Sequence, residues 1–121
     1  MSERLSVAQI MLLIGYAAAM VGGQLLFKLA AGRAPVDGAL PDRLFGLFNV
    51  YLVLAVLLYA GLSVLWVWLL TFTPLSRAYP FVALAFALTP LLGIVIFGEP
   101  FSTKLAIGIA LILCGLLFVA G

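Results

Sequence analysis

Histidine is absent from this chain, cysteine occurs once, and charged side chains make up only 8% of its 121 residues. Each shortage excludes something. Without histidine or any cluster of acidic residues, hydrolytic and metal-dependent chemistry lack their usual ligands and proton carriers, so neither an enzyme nor a metal site is expected. The lone Cys114 has no partner for an internal disulfide. Six Lys and Arg against four Asp and Glu leave a surplus too small for nucleic-acid binding, and no basic stripe carries one. A soluble domain needs about 25% charged residues to cover its surface. With 67% hydrophobic residues, this chain has lipid as its solvent.

The few charges divide the sequence. Uncharged runs extend from Leu5 to Phe27, Leu44 to Ser76, Ala78 to Gly98 and Leu105 to Gly121. About 20 apolar residues in a helix cross a hydrocarbon core of about 30 Å. Four spans follow, at roughly 5–31, 47–71, 76–97 and 102–120, forming one all-α integral membrane domain over residues 1–121. A secretory signal is the rival reading of the first run; Glu3 beside Arg4 and the length of the run speak against it.

The connections are short apart from Gly32–Arg43, which holds two Pro, two Gly and four charges and reads as a loop at a membrane face. Thr73-Pro74-Leu75-Ser76 and Gly98-Glu99-Pro100-Phe101-Ser102 read as tight turns, with Ser76 and Ser102 expected to cap the helices that follow. Arg4 and Arg77 fall on one face of the membrane, and Lys28, Arg33, Arg43 and Lys104 on the other. The preference of Lys and Arg for the cytoplasm puts the long loop inside by a narrow margin, and an antiparallel dimer of both orientations is the alternative.

Three polar or small-residue features stand out. In Gly22-Gly23-Gln24-Leu25-Leu26-Phe27-Lys28, Gln24 and Lys28 are one turn apart on one helix face, a donor-rich strip suited to a phosphate or carboxylate, with glycines leaving room beside it. The competing reading has Lys28 snorkelling to the interface and Gln24 bonded to a neighbouring helix. In Ser76-Arg77-Ala78-Tyr79-Pro80, Arg77 offers a planar fork that matches phosphate oxygens, set against an ordinary interfacial Arg and belt Tyr. Pro80 and Pro90 free backbone carbonyls in the third span. In the fourth span Gly108 and Gly115, seven residues apart, make a smooth stripe expected to be a dimer seam. Glu99 reads as interfacial, and Trp66 and Trp68 cannot share one helix face.

Taken together, these features resemble the drug/metabolite transporter superfamily, in its four-helix, small-multidrug-resistance-like branch. The resemblance rests on the Gly-rich first span ending in Lys28, Ala78-Tyr79-Pro80, Phe97-Gly98-Glu99-Pro100 and the Gly108–Gly115 stripe, and covers all but the Gly32–Arg43 loop. Multidrug exporters of that branch carry a first-helix glutamate that exchanges protons with cationic drugs. Aligned on Lys28, that position is Met20 here, and no span interior holds another acid. Gly23-Gln24 with Phe27-Lys28, Ala78-Tyr79-Pro80 and Glu99-Pro100 are similar instead to the aminoarabinose–phosphoundecaprenol flippase subunits. That resemblance implies a homodimer or heterodimer of four-helix subunits in the inner membrane, moving a polyprenyl-phosphate sugar without a cofactor. Lys28 and Arg77 are then expected to pair with its phosphate, and Gln24 and Tyr79 to hydrogen-bond its head group. A small multidrug or metabolite exporter and an accessory subunit of a membrane enzyme are the alternatives.

Overall fold

A computed structural model describes residues 5–120; Glu3, Arg4 and Gly121 lie outside that range, and with them Arg4's share of the charge count. Most of the described residues are helical, and none lies in a strand. Helix α1 spans Val7–Arg33, α2 Leu40–Phe45, α3 Val50–Leu70, α4 Leu75–Ala78, α5 Val82–Phe97 and α6 Thr103–Ala120. A single 3-10 turn, Tyr79–Phe81, joins α4 to α5, so that Leu75–Phe97 runs as one segment of 23 residues. That segment, α1 and α3 are each long and apolar enough to cross a membrane, and α6 is a shorter apolar helix of 18 residues. The fold is a small four-helix membrane protein.

Helix ends are the expensive places in lipid, because unpaired backbone groups there have no water to turn to. Two amides solve this at opposite ends of the α1–α3 pair. At the start of α1, Ser6 and Gln9 form a reciprocal capping box, the Gln9 N–H donating to Ser6 Oγ at 3.1 Å and the Ser6 N–H to Gln9 Oε1 at 2.8 Å. The same Gln9 amide donates to Phe72 O at 2.9 Å and to the buried Thr73 Oγ1 at 3.1 Å, tying α1 to the turn after α3. At the far end, Asn49 Oδ1 accepts from the Tyr51 and Leu52 N–H groups, and its Nδ2 donates to Ala30 O at 3.0 Å.

The core is built from small residues and a few leucines. Leu13, Ala17 and Val21 recur every four residues on α1, and Ala55, Leu62 and Leu69 recur every seven on α3; all six are buried. These spacings keep one face of each helix against the other. Helix α1 lies between α3 and α5, and α6 packs along α5 with Ile109 buried at the seam.

Two local expectations change. Ser76 does not cap the third span. Pro74, its φ fixed near the helical value and its carbonyl accepting from the Arg77 and Ala78 N–H groups, starts the helix at Leu75, and Ser76 falls inside it. The Gly32–Arg43 segment is only partly a loop, since α1 runs on to Arg33 and Pro41 opens the short helix α2. Ser102 does cap α6, accepting from the Leu105 N–H at 3.1 Å.

Candidate functional site

Because consecutive spans run in opposite directions, the described residues sort into two ends. One holds the start of α1, the end of α3, α4 and the end of α6. The other holds the end of α1, the start of α3, the end of α5 and the start of α6. Lys28 lies at the second end, five residues before α1 stops, or about 7 Å along the axis at 1.5 Å per residue. Its ammonium meets the Glu99 carboxylate at 3.4 Å, with both side chains about half exposed (52% and 45%).

Glu99 reaches Lys28 because the chain turns back after α5. Gly98 takes the left-handed conformation (φ +66°), its N–H bonds Ile94 O, and the Glu99 N–H donates to Gly93 O. The carboxylate then lies over Gly93, in space that a Cβ there would occupy.

From this ion pair a cleft runs between α1 and α5. Its outer part, about 320 Å³, is lined by Gln24, Leu25, Phe27 and Lys28 on one side and by Thr89, Gly93, Phe97 and Glu99 on the other. Its inner part, about 310 Å³, shares Gln24 and Thr89 with the outer part and continues to Met20, Ala85, Phe86 and Pro90. The cleft is therefore polar and charged at its mouth and apolar toward the middle of the spans. Phe86, 59% exposed, stands on its flank, so it opens sideways to the surroundings of the bundle.

Gln24 is fixed from behind. Its Nε2 donates to Tyr59 Oη at 2.8 Å, and that hydroxyl donates in turn to Met20 O at 3.0 Å. The Tyr59 ring stacks on Phe27, with centroids 5.3 Å apart, and lies against Gly23, where an added Cβ would come within 2.5 Å of it. Gly23 thus makes room for a tyrosine of α3, while the space beside Gly22 is open.

The residues expected to act together are brought together only in part. Gln24 and Lys28 share the cleft; Arg77 and Tyr79 stand at the opposite end. Counted along Leu75–Phe97, Arg77 and Glu99 are separated by about 30 Å, so within one protomer Arg77 and Lys28 cannot hold the same phosphate. Arg77 Nη1 instead donates to Val119 O at 2.6 Å, holding the last turn of α6 to the start of the third span. Tyr79, with Trp66, Leu75, Ser76 and Pro80, lines a separate hollow. Trp66 stacks obliquely with Tyr16 at 4.9 Å and meets the Tyr79 ring edge-on at 6.3 Å, whereas Trp68 faces outward against Phe72. The two tryptophans therefore divide between the interior and the lipid-facing side.

Positions next to Gly108 and Gly115 are open, with no side chain and no other helix within 4 Å of an added Cβ, and Ile107, Leu111 and Phe118 on α6 are exposed. Three contributors to the cleft escape a reading of residue types alone: Thr89, Tyr59 and the pairing of Glu99 with Lys28. The signal for Thr89 is the lone hydroxyl of the run Pro80–Phe97, directly before Pro90.

No family model matches the chain, and no solved structure matches it. Curated relatives do. A probable 4-amino-4-deoxy-L-arabinose-phosphoundecaprenol flippase subunit ArnE of Sodalis glossinidius is 34% identical over 95 residues, covering 78% of this chain and 81% of the relative. The protein of the same name from Enterobacter sp. (strain 638) is 31% identical over 100 residues, 83% of this chain and 85% of the relative. A third, from Hamiltonella defensa, is 36% identical over 70 residues. Identity at this level over most of both chains, carried on a bundle of four apolar helices, means that the chain belongs to the 4-amino-4-deoxy-L-arabinose-phosphoundecaprenol flippase subunit family.

Proposed function

We propose that the chain is a subunit of an inner-membrane flippase for a polyprenyl-phosphate-linked sugar, 4-amino-4-deoxy-L-arabinose on undecaprenyl phosphate being the substrate its relatives are named for. The observation that carries this reading is the cleft between α1 and α5, with Lys28 and Glu99 at its mouth, Gln24 and Thr89 in its middle and only apolar groups beyond. Such a gradient suits an amphiphile. The head group meets charge and hydrogen-bond donors, and the tail leaves through the open side into lipid.

Lys28 supplies the charge for the phosphate, which is very costly to bring into hydrocarbon unpaired. Gln24 keeps its amide at the cleft through Tyr59, and Thr89 offers a hydroxyl from the facing helix. Arg77 is left out of this protomer's site. In a pair of oppositely oriented subunits, the Arg77 end of one lies at the same membrane face as the Lys28 end of the other. A dimer, with itself or with a related four-helix subunit, would also cover the open α6 face around Gly108 and Gly115.

The exporter alternative fares less well at the level of residues. Met20, at the position of the exporters' glutamate, lines the inner cleft together with Gln24, Ala85, Phe86, Thr89 and Pro90, none of which ionises. A proton-for-cation exchange has no carboxylate to run on there. The test is a reconstituted vesicle carrying a pH gradient, in which quaternary ammonium dyes should not move uphill. In parallel, lipid nanodiscs holding the protein should bind undecaprenyl-phosphate aminoarabinose. Gradient-driven dye efflux without lipid binding would reverse the assignment.

A further inference from the structure

A site for a plain anion gains from a lysine and loses from a carboxylate beside it, yet Glu99 is not there by accident of packing. Three features hold it in place: the left-handed Gly98 that reverses the chain, the bond from its own N–H to Gly93 O, and the missing side chain at Gly93 that leaves its carboxylate room. Gly98 and Gly93 thus aim one acid at Lys28 at the mouth of the cleft. Resting on the function proposed above, we infer that Lys28 and Glu99 form a receptor for a zwitterionic head group, Lys28 taking the phosphate and Glu99 the protonated amine of an amino sugar.

Within the protomer the two side chains neutralise each other at 3.4 Å. Both are about half exposed, so their mutual attraction is modest. A head group with a phosphate at one side of the sugar ring and an ammonium across it opens the pair and replaces both partners at once. Lys28 exchanges a carboxylate for a phosphate, and Glu99 exchanges one ammonium for another. No charge is left unpaired before or after binding. A neutral sugar phosphate instead satisfies Lys28, strands Glu99 and sets it against the phosphate as a like charge. Glu99 is thereby a specificity-determining residue: it selects an amine-bearing head group over one whose nitrogen has been acylated or is missing.

The test compares two probes on the full-length protein in nanodiscs, undecaprenyl-phosphate aminoarabinose and its N-acetylated form. A charge-assisted hydrogen bond sets the scale, so the wild type should bind the free amine about 10–100-fold more tightly. Glu99→Gln should reduce that preference to less than about threefold while keeping, or tightening, binding of the N-acetylated lipid. Gly93→Ala is the independent variant. It retains every charge and favours helix, yet its methyl group displaces the Glu99 carboxylate, so it should lower the preference in the same direction even if Glu99→Gln fails to fold. Tight binding of both lipids by the wild type without preference would overturn the zwitterion receptor and leave the flippase reading standing, as would an undiminished preference in either variant. Failure of the wild type to bind either lipid would overturn both.

Discussion

The two ends of this bundle carry similar side chains to different purposes. At one end an amide and an arginine are spent on the fold: Gln9 caps α1 and grips the turn after α3, and Arg77 holds the last turn of α6. At the other an amide and a lysine line a cleft, with Gln24 secured by a single bond to Tyr59 and Lys28 by a half-exposed ion pair. On the proposed function, what separates structural from functional polarity is how fully each group is satisfied inside the protomer. Gln9 donates and accepts on three partners, while the cleft residues keep capacity and exposure for something else. Residue type does not distinguish them; the surroundings do.

Substitutions at the two ends should therefore fail in different assays. The largest effect on stability is expected at Gln9. Gln9→Leu removes the side-chain half of the capping box and leaves Phe72 O and the Thr73 hydroxyl without a donor, at a cost of about 2–3 kcal/mol in detergent-denaturation experiments. Folded Gln9→Leu protein should bind lipid normally. Lys28→Met should do the reverse, preserving helix content and thermal stability while weakening binding of the phosphate lipid about 10–100-fold; Lys28→Arg should recover part of it.

Arg77→Met sharpens the comparison from the other side. It should lower stability by about 1 kcal/mol through the lost bond to Val119 O and leave the affinity of the isolated subunit unchanged. A drop in affinity as large as that of Lys28→Met would return Arg77 to the substrate, most simply through an oppositely oriented partner. A smaller effect is expected from Thr89→Val, which removes a neutral hydroxyl from the cleft wall and should weaken lipid binding about three- to fivefold. Gly108→Leu and Gly115→Leu act on assembly instead. If the α6 face is an interface, both should shift crosslinked protein from dimer toward monomer without changing the fold of the subunit, since a Cβ added at either position meets no side chain and no other helix within 4 Å.

Much of this arrangement is legible in the sequence, and the boundary of legibility has physical causes. Long uncharged runs dictate the spans because lipid tolerates nothing else there. Gln24 and Lys28 can be placed on one face because helical periodicity is local. The pairing of Lys28 with Glu99 is not legible in that way, since it depends on a left-handed turn at Gly98 and on empty space at Gly93, neither of which declares its direction in one dimension. Thr89 and Tyr59 escape for a similar reason. In helices apolar all round, no amphipathic pattern says which face meets which neighbour. The separation of Arg77 from Lys28, by contrast, follows from counting spans alone. The alternation that divides the Lys and Arg residues between two membrane faces also forbids those two from meeting in one protomer.

The central claim is that the lipid lies in the cleft between α1 and α5 and not at the Tyr79 end. Site-specific photocrosslinking tests it most directly. A photoreactive residue at Phe86, on the flank of the inner cleft, or at Tyr79, in the hollow at the opposite end, is activated in nanodiscs containing undecaprenyl-phosphate aminoarabinose, and the protein is weighed by mass spectrometry. A lipid adduct at Phe86, abolished by Lys28→Met, with none above background at Tyr79, is the predicted result. An adduct at Tyr79 and none at Phe86 would contradict the account.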